Sequence, residues 1–301
     1  MMRISTHTLF ETGGARIGEL QSSLSRTSLQ VSSGRRMLAP SDDPIAAARA
    51  LEISQSKAIN TQFGANRGYA MDSLAAAESA LARVTSLLQD VKDITIAAGN
   101  PAQTDSDRGY LAAELRSQLA DLLAVANSRD AVGDYLFSGF QANTAAFAET
   151  APGVIAYQGD AGQRMIQVDS ARQLAVTFTG DAVFQGGGVD VFQTVNDLIT
   201  LLETPGSAGL AAGLASANQD LGTALDNVLG LRATAGASMQ TLDFFDIAGG
   251  ERDLHYSQVL SDLQDLDYAE ALTRLSQQQI VLEAAQKSFV KTSSLSLFNF
   301  I

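Results

Sequence analysis

Cysteine and tryptophan are missing from this 301-residue chain, which also has only five prolines and two histidines. Without cysteine there is no disulfide, no thiolate nucleophile and no thiolate metal site. His7 and His255 stand in different segments without metal-ligand spacing, so each reads as an ordinary surface or interface residue. With six tyrosines and thirteen phenylalanines, the core must rest on Leu, Val, Ile and Ala. No apolar run approaches the ~18 residues of a membrane span, and Arg3, Glu11, Arg16, Glu19 and Arg26 interrupt any stretch that could act as a cleaved signal peptide. Neither a membrane nor a cleavable secretory signal is expected.

Positive charge is scarce as well. Twenty Lys and Arg face 33 Asp and Glu, a net charge of −13, which argues against nucleic acid as the main partner. The deficit is uneven. Residues 1–36 hold five Arg against two Glu, whereas residues 139–250 hold three Arg against eleven acids. The acidic stretch reads as solvated surface. Phosphate loops, dinucleotide fingerprints, Gly-x-Ser-x-Gly and His-Glu-x-x-His are all missing. The carboxylate pairs Asp42/Asp43 and Asp105/Asp107 sit where helices should start, so capping accounts for them before catalysis does. Asp160, in Gly-Asp-Ala-Gly, suits a turn rather than a Ca²⁺ loop. No catalytic residue, cofactor or metal site is expected.

What the chain has is helical periodicity at both ends. Tyr268, Leu275, Leu282 and Phe289 recur every seven residues in an amphipathic segment from Tyr268 to Ile301 that contains no Gly or Pro. Ile17, Leu20, Leu24 and Val31 answer it with spacings of three, four and seven. Between them, Ser41-Asp42-Asp43 before Pro44 marks a helix start, and the 55 residues to Ala98 carry Leu74, Ala77, Leu81, Val84, Leu88 and Val91 in unbroken seam spacing. If continuous, that helix is about 80 Å long. Gly99-Asn100-Pro101 stops it, and a second helix with the stripe Leu111, Leu115, Leu119, Leu122 and Ala126 begins near Thr104 or Asp105, giving an antiparallel hairpin.

Beyond Gly133 the pattern changes. Val154–Tyr157 and Met165–Val168 read as two strands paired around the Gly159–Gly162 turn, with Leu174–Phe178 as a third. Gly186-Gly187-Gly188 reads as a loop and Val191–Leu202 as a short helix. Leu214, Leu221, Val228, Ala235 and Leu242 then restore the heptad, which Gly249-Gly250 should interrupt. The expected fold is mainly α: a long-helix bundle and a terminal coiled coil formed by both chain ends, with a small β-containing middle domain. The expected boundaries are 1–40 with 262–301 for the coiled coil, 41–138 with 207–261 for the bundle, and 139–206 for the β-rich domain. Ile17, Leu20, Leu24, Val31, Leu275, Leu282 and Phe289 are the candidate subunit-assembly seam. Leu74, Leu81, Val84, Leu88, Val91, Leu221, Val228 and Leu242 are the candidate bundle core.

Several segments together resemble the flagellin superfamily. They are Ser32-Ser33-Gly34-Arg35-Arg36 followed by Asp42-Asp43, Asn127-Ser128-Arg129-Asp130, Tyr135-Leu136-Phe137-Ser138-Gly139, Tyr157-Gln158-Gly159-Asp160, Arg232 to Ala237, Ser261 to Glu270, and Ser294 to Asn299. The length, the Tyr-Gln-Gly-Asp segment and the Leu295-Ser296-Leu297-Phe298-Asn299 ending are more similar to the hook-filament junction branch than to filament flagellin. That resemblance implies a structural, non-enzymatic role in the flagellar axis, self-association into a ring or helical layer, and neighbours that are a hook-associated protein and flagellin. It also implies unfolded export through the flagellar type III apparatus to the hook-filament junction, with an export chaperone at the C-terminal helix. The alternatives are a filament flagellin, a carbohydrate-binding or hydrolytic module in the acidic insert, and a secreted needle-tip or translocator protein.

Overall fold

The structure, a computed structural model, describes residues 2–206 and 209–294. The elements in chain order are α1 (Met2–Ser33), α2 (Pro44–Ala98), α3 (Asp105–Ala126), β1 (Phe147–Ala151), β2 (Val154–Tyr157), β3 (Met165–Asp169), β4 (Arg172–Ala175), α4 (Gly180–Phe184), α5 (Val191–Glu203), α6 (Leu210–Gln264) and α7 (Tyr268–Ser294). The fold is mainly α with a small β-containing middle. The chain divides into two compact units, residues 60–250 and residues 1–59 with 251–301.

Local chemistry sets the helix ends. Asp43 Oδ1 accepts the Ala46 amide at 3.0 Å, so Asp43 caps α2 and Pro44 occupies the first turn, where its missing N–H costs nothing. Thr104 and Asp107 form a reciprocal capping box at the start of α3. α2 passes through Gly64 and Gly68 without a break, and the chain turns at Gly99, whose amide donates to the Ile96 carbonyl at 3.1 Å.

In the 60–250 unit, α3 returns along α2: Arg108 Nε donates to the Ala98 carbonyl, and Arg83 and Leu87 lie beside Asp121 and Val125. α6 also runs antiparallel to α2, since Leu214 lies against Gly99, Arg232 grips Glu78 at 2.7 Å, and Asn60 Nδ2 donates to the Gly249 carbonyl at 2.8 Å. Between these helices lie Leu74, Leu81, Val84, Leu88 and Val91 of α2, Leu115 and Leu122 of α3, and Leu221, Val228 and Leu242 of α6, all buried. Each buried aliphatic side chain of this size contributes about 1.5–3 kcal/mol by leaving water.

The β pairing differs from the expected hairpin. β2 pairs with β1 (Phe147 opposite Tyr157) and β3 with β4 (Met165 opposite Ala175), giving two separate antiparallel hairpins rather than one formed by Val154–Tyr157 and Met165–Val168. Each strand takes the partner that only two residues separate from it, Pro152-Gly153 in one case and Ser170-Ala171 in the other. The Gly159–Gly162 segment is held elsewhere, because Asp160 Oδ1 accepts the amides of both Phe140 and Gly162 at 2.9 Å. β4 ends at Ala175, short of the expected Phe178, and the Gly186–Gly188 triplet is a single 3-10 turn.

Gly249-Gly250 does not interrupt the last bundle helix either; α6 continues to Gln264. The reason is a neighbour. The Arg67 guanidinium lies so close that a β-carbon at Gly249 would come within about 2.3 Å of it, so this glycine makes room for a side chain rather than ending a helix.

Candidate assembly surfaces

In the unit formed by residues 1–59 and 251–301, α1 and α7 lie antiparallel along each other. The Phe10 and Phe289 rings meet edge to face with centroids 5.8 Å apart, the Phe289 ring sits over Gly13, and Gln278 Nε2 donates to Ser23 Oγ at 2.8 Å. This register puts Leu20 level with Leu282 and Val31 level with Ala271. Ile17, Leu20, Leu24, Val31, Leu275, Leu282 and Phe289 are all half-buried, while Thr27 and Ala271 are buried outright. α7 also has a second apolar face, which periodicity at seven residues passes over. Leu272, Ile280, Val281 and Val290 are exposed, and the first three line a shallow depression with Thr273, Ser276 and Gln277. The missed signal is the i, i+4, i+8 spacing of Leu272, Ser276 and Ile280, a stripe that starts beside the seam and winds away from it.

The same unit joins two of the segments that carry the flagellin-like pattern, 32–43 and 261–270. Gly34, at φ +68°, turns the chain out of α1, and a β-carbon there would come within 2.8 Å of the Tyr268 hydroxyl. The Arg36 amide donates to the Gln264 carbonyl at 2.8 Å and the Leu266 amide to the Gly34 carbonyl at 3.0 Å, so the breaks between α1 and α2 and between α6 and α7 are stitched by one short antiparallel bridge. Arg36 also reaches the Leu263 carbonyl and Asp43, and Asp267 caps α7 by accepting the Ala269 and Glu270 amides. Asp42 accepts the Leu38 and Ala39 amides and pairs with Arg26.

These bonds hold the Asp42 carboxyl below the usual 3.8, chiefly through the Ala39 and Leu38 amides, and the Asp43 carboxyl likewise through the Ala46 amide, with Arg36 adding to it. A carboxylate with a depressed folded value contributes stability above its unfolded value, and loses it as pH falls through the folded one. The stitched joint should therefore loosen below pH 3.8, read as faster amide exchange of residues 36–46 in acid than extrapolation from neutral pH gives. Asp42→Asn/Asp43→Asn should remove that acid-dependent step.

In the 60–250 unit, three further family-like segments converge. Asn127 exchanges two hydrogen bonds with the Phe147 backbone, at 2.9 and 3.0 Å. Asp130 Oδ1 accepts the amides of Val132, Gly133 and Asp134, and Arg129 stacks over Tyr135. The Tyr157 hydroxyl lies 3.0 Å from the Phe137 carbonyl and 2.8 Å from that of Asp160. Phe137, Phe147, Phe184 and Phe192 pack around these bonds as one aromatic cluster. Burial pushes the Tyr157 phenol up to about 12, and the nearby charges of Asp181 and Asp160 add to it. A raised folded value means that stability is complete below the unfolded phenol value of about 10 and is lost as pH rises toward 12. Alkaline melts of the wild type should fall through that window, and Tyr157→Phe should flatten the dependence.

No three His, Asp or Glu gather as a metal site among the described residues, and no helix there is long and apolar enough to cross a membrane. The Leu295–Asn299 ending lies outside the described residues.

Comparison with known proteins follows the same lines. Residues 4–142 match the family profile of the bacterial flagellin N-terminal helical region. The flagellar hook-associated protein 3 of Escherichia coli K12 and that of Salmonella typhimurium LT2 are each 32% identical to this chain, over 99% of it and 99% of their own lengths. A solved structure from Vibrio parahaemolyticus, described as a flagellar hook-associated protein, superposes with a TM-score of 0.70 at 27% identity, covering 74% of this chain and all of that one.

Proposed function

This chain belongs to the flagellar hook-associated protein 3 family, and from that premise we propose that it joins the hook to the filament by assembling with copies of itself into a junction layer. It is a structural component of the flagellum and not an enzyme. The observation that carries the junction reading is the two-faced α7, whose seam side packs on α1 of the same chain while Leu272, Ile280, Val281 and Val290 remain exposed. A helix that has already satisfied one apolar stripe internally and still presents another supports contact with further subunits.

On this reading residues 1–40 with 262–301 form the terminal coiled coil, 41–138 with 207–261 the bundle, and 139–206 the outer domain. Ile17, Leu20, Leu24, Val31, Leu275, Leu282 and Phe289 fix the chain's own ends, and the exposed α7 residues meet the next copy. Such contacts are heterologous and close into a ring or continue as a helical layer according to the rotation between neighbours. Adjacent layers are a second hook-associated protein and flagellin. The subunit travels unfolded through the flagellar type III apparatus, with a chaperone over the apolar C-terminal helix until assembly. Immunolocalisation on intact flagella tests the assignment: a thin band at the hook end is expected, and label along the filament would favour a flagellin instead.

A further inference from the structure

The contact between α2 and α6 in the 60–250 unit repeats itself. Leu74, Leu81 and Leu88 of α2 are buried in one core cluster with Leu221, Val228, Ala235 and Leu242 of α6, which recur every seven residues. Sliding one helix past the other by a heptad sets aliphatic residues against aliphatic residues again, so this seam discriminates poorly between registers. A feature that does not repeat must choose.

Arg67 is that feature. It is 4% exposed, the most deeply buried charged side chain of α2. Its Nε donates to Asp246 Oδ1 at 3.1 Å and its Nη1 to the Val168 carbonyl at 3.2 Å, and its Nη2 occupies the space that a side chain at Gly249 would need. Two turns away along α2, Asn60 Nδ2 donates to the Gly249 carbonyl at 2.8 Å. A one-heptad slip of α6 would bring Leu242 or Tyr256 to the level of Gly249 and close the gap; the first slip also replaces Asp246 by Met239, leaving a buried guanidinium without its carboxylate, whereas the second keeps a carboxylate in Asp253 but sets a tyrosine where the guanidinium lies. A β-carbon at Gly222, Gly230, Gly236 or Gly250 would meet nothing within 4 Å, and Gly213 makes room for the apolar Leu201, so among the described glycines of α6 Gly249 alone seats a charged group.

We propose that Arg67, seated against Gly249, sets the register between α2 and α6. A polar group in an otherwise apolar seam lowers stability in exchange for one alignment, and a guanidinium does so more sharply than an amide because its planar fork fits partners only in fixed directions. Asn66 Nδ2, which donates to the Gln167 carbonyl at 2.8 Å, together with the Arg67 bond to Val168, extends the same tie to β3.

The chain's lack of cysteine makes the test clean. Ser79→Cys and Ala215→Cys, both at exposed positions on α2 and α6, carry spin labels, and double electron-electron resonance reads the distance between them. The doubly labelled parent should give one distance. Arg67→Met should add a population displaced by about 10 Å, the rise of one heptad. Gly249→Ala, which fills the seat and leaves every polar partner in place, should add the same population and serves if Arg67→Met does not fold. A single unshifted distance in the folded variant, even with a lower melting temperature, overturns the proposal and assigns the register to the Glu78–Arg232 pair, which both variants retain.

Discussion

Leu282→Asp will leave the helical content of the isolated subunit nearly unchanged and will keep the protein out of the flagellum. Leu282 is half-buried, level with Leu20 in the antiparallel α1–α7 register. Removing a half-buried leucine costs about 1 kcal/mol of transfer free energy, and the new carboxylate adds the larger cost of a charge facing an apolar stripe without a partner. Residues 60–250 have their own core and take no part in that seam, so the main thermal transition should stay where it is. Assembly multiplies the defect, because every copy in a layer must present the exposed face of an α7 that rests on this seam. The checks are circular dichroism on the purified subunit and immunogold labelling of flagella from a strain carrying the variant. Normal junctions in that strain would remove the terminal seam from the assembly account. Collapse of the main melting transition would instead make the seam part of the subunit's folding core.

Phe147→Ala should be the most damaging single truncation in the 60–250 unit, costing about 3–5 kcal/mol in urea unfolding. Its ring centroid lies 4.9 Å from that of Phe192, 5.2 Å from Tyr157 and 5.3 Å from Phe184, and its backbone is held at both ends by Asn127. Removing it leaves a cavity that a rigidly tied strand cannot collapse to fill. Phe244→Ala supplies the comparison. That ring is 66% exposed, and its loss should change stability by no more than about 0.5 kcal/mol. Equal effects of the two substitutions would show that the aromatic cluster does not hold β1, β2, α4 and α5 together.

Helices were legible where a single period ran long enough to outvote local noise. The Leu74–Val91 seam, the Thr104 start and the aliphatic positions of α6 could be read because burial on one face of a helix recurs every three or four residues whatever it packs against. Strand pairing was not legible. Val154–Tyr157 and Met165–Asp169 are strands, but each joins the strand that two residues separate from it, across Pro152-Gly153 and Ser170-Ala171, while the glycine-rich segment between them is held by the Phe140 amide on Asp160, twenty residues away. Gly249-Gly250 misled for a similar reason: sequence shows that a side chain is missing but not that Arg67 fills the gap.

The assembly surface divides in the same way. Seven-residue recurrence located the seam that α1 and α7 share, yet the outward face of α7 emerged only once its inward face had been assigned. By itself the sequence determined the helical class, the approximate extents of the long helices and the excluded chemistries, because these follow from local periodicity and residue inventory. The tertiary structure decided strand partners, the bridge joining residues 34–36 to 264–266, the seat of Arg67 and the free face of α7. Apart from the strand partners, which two-residue turns set locally, each of these depends on contacts between residues distant along the chain, where a few polar groups fit in only one arrangement.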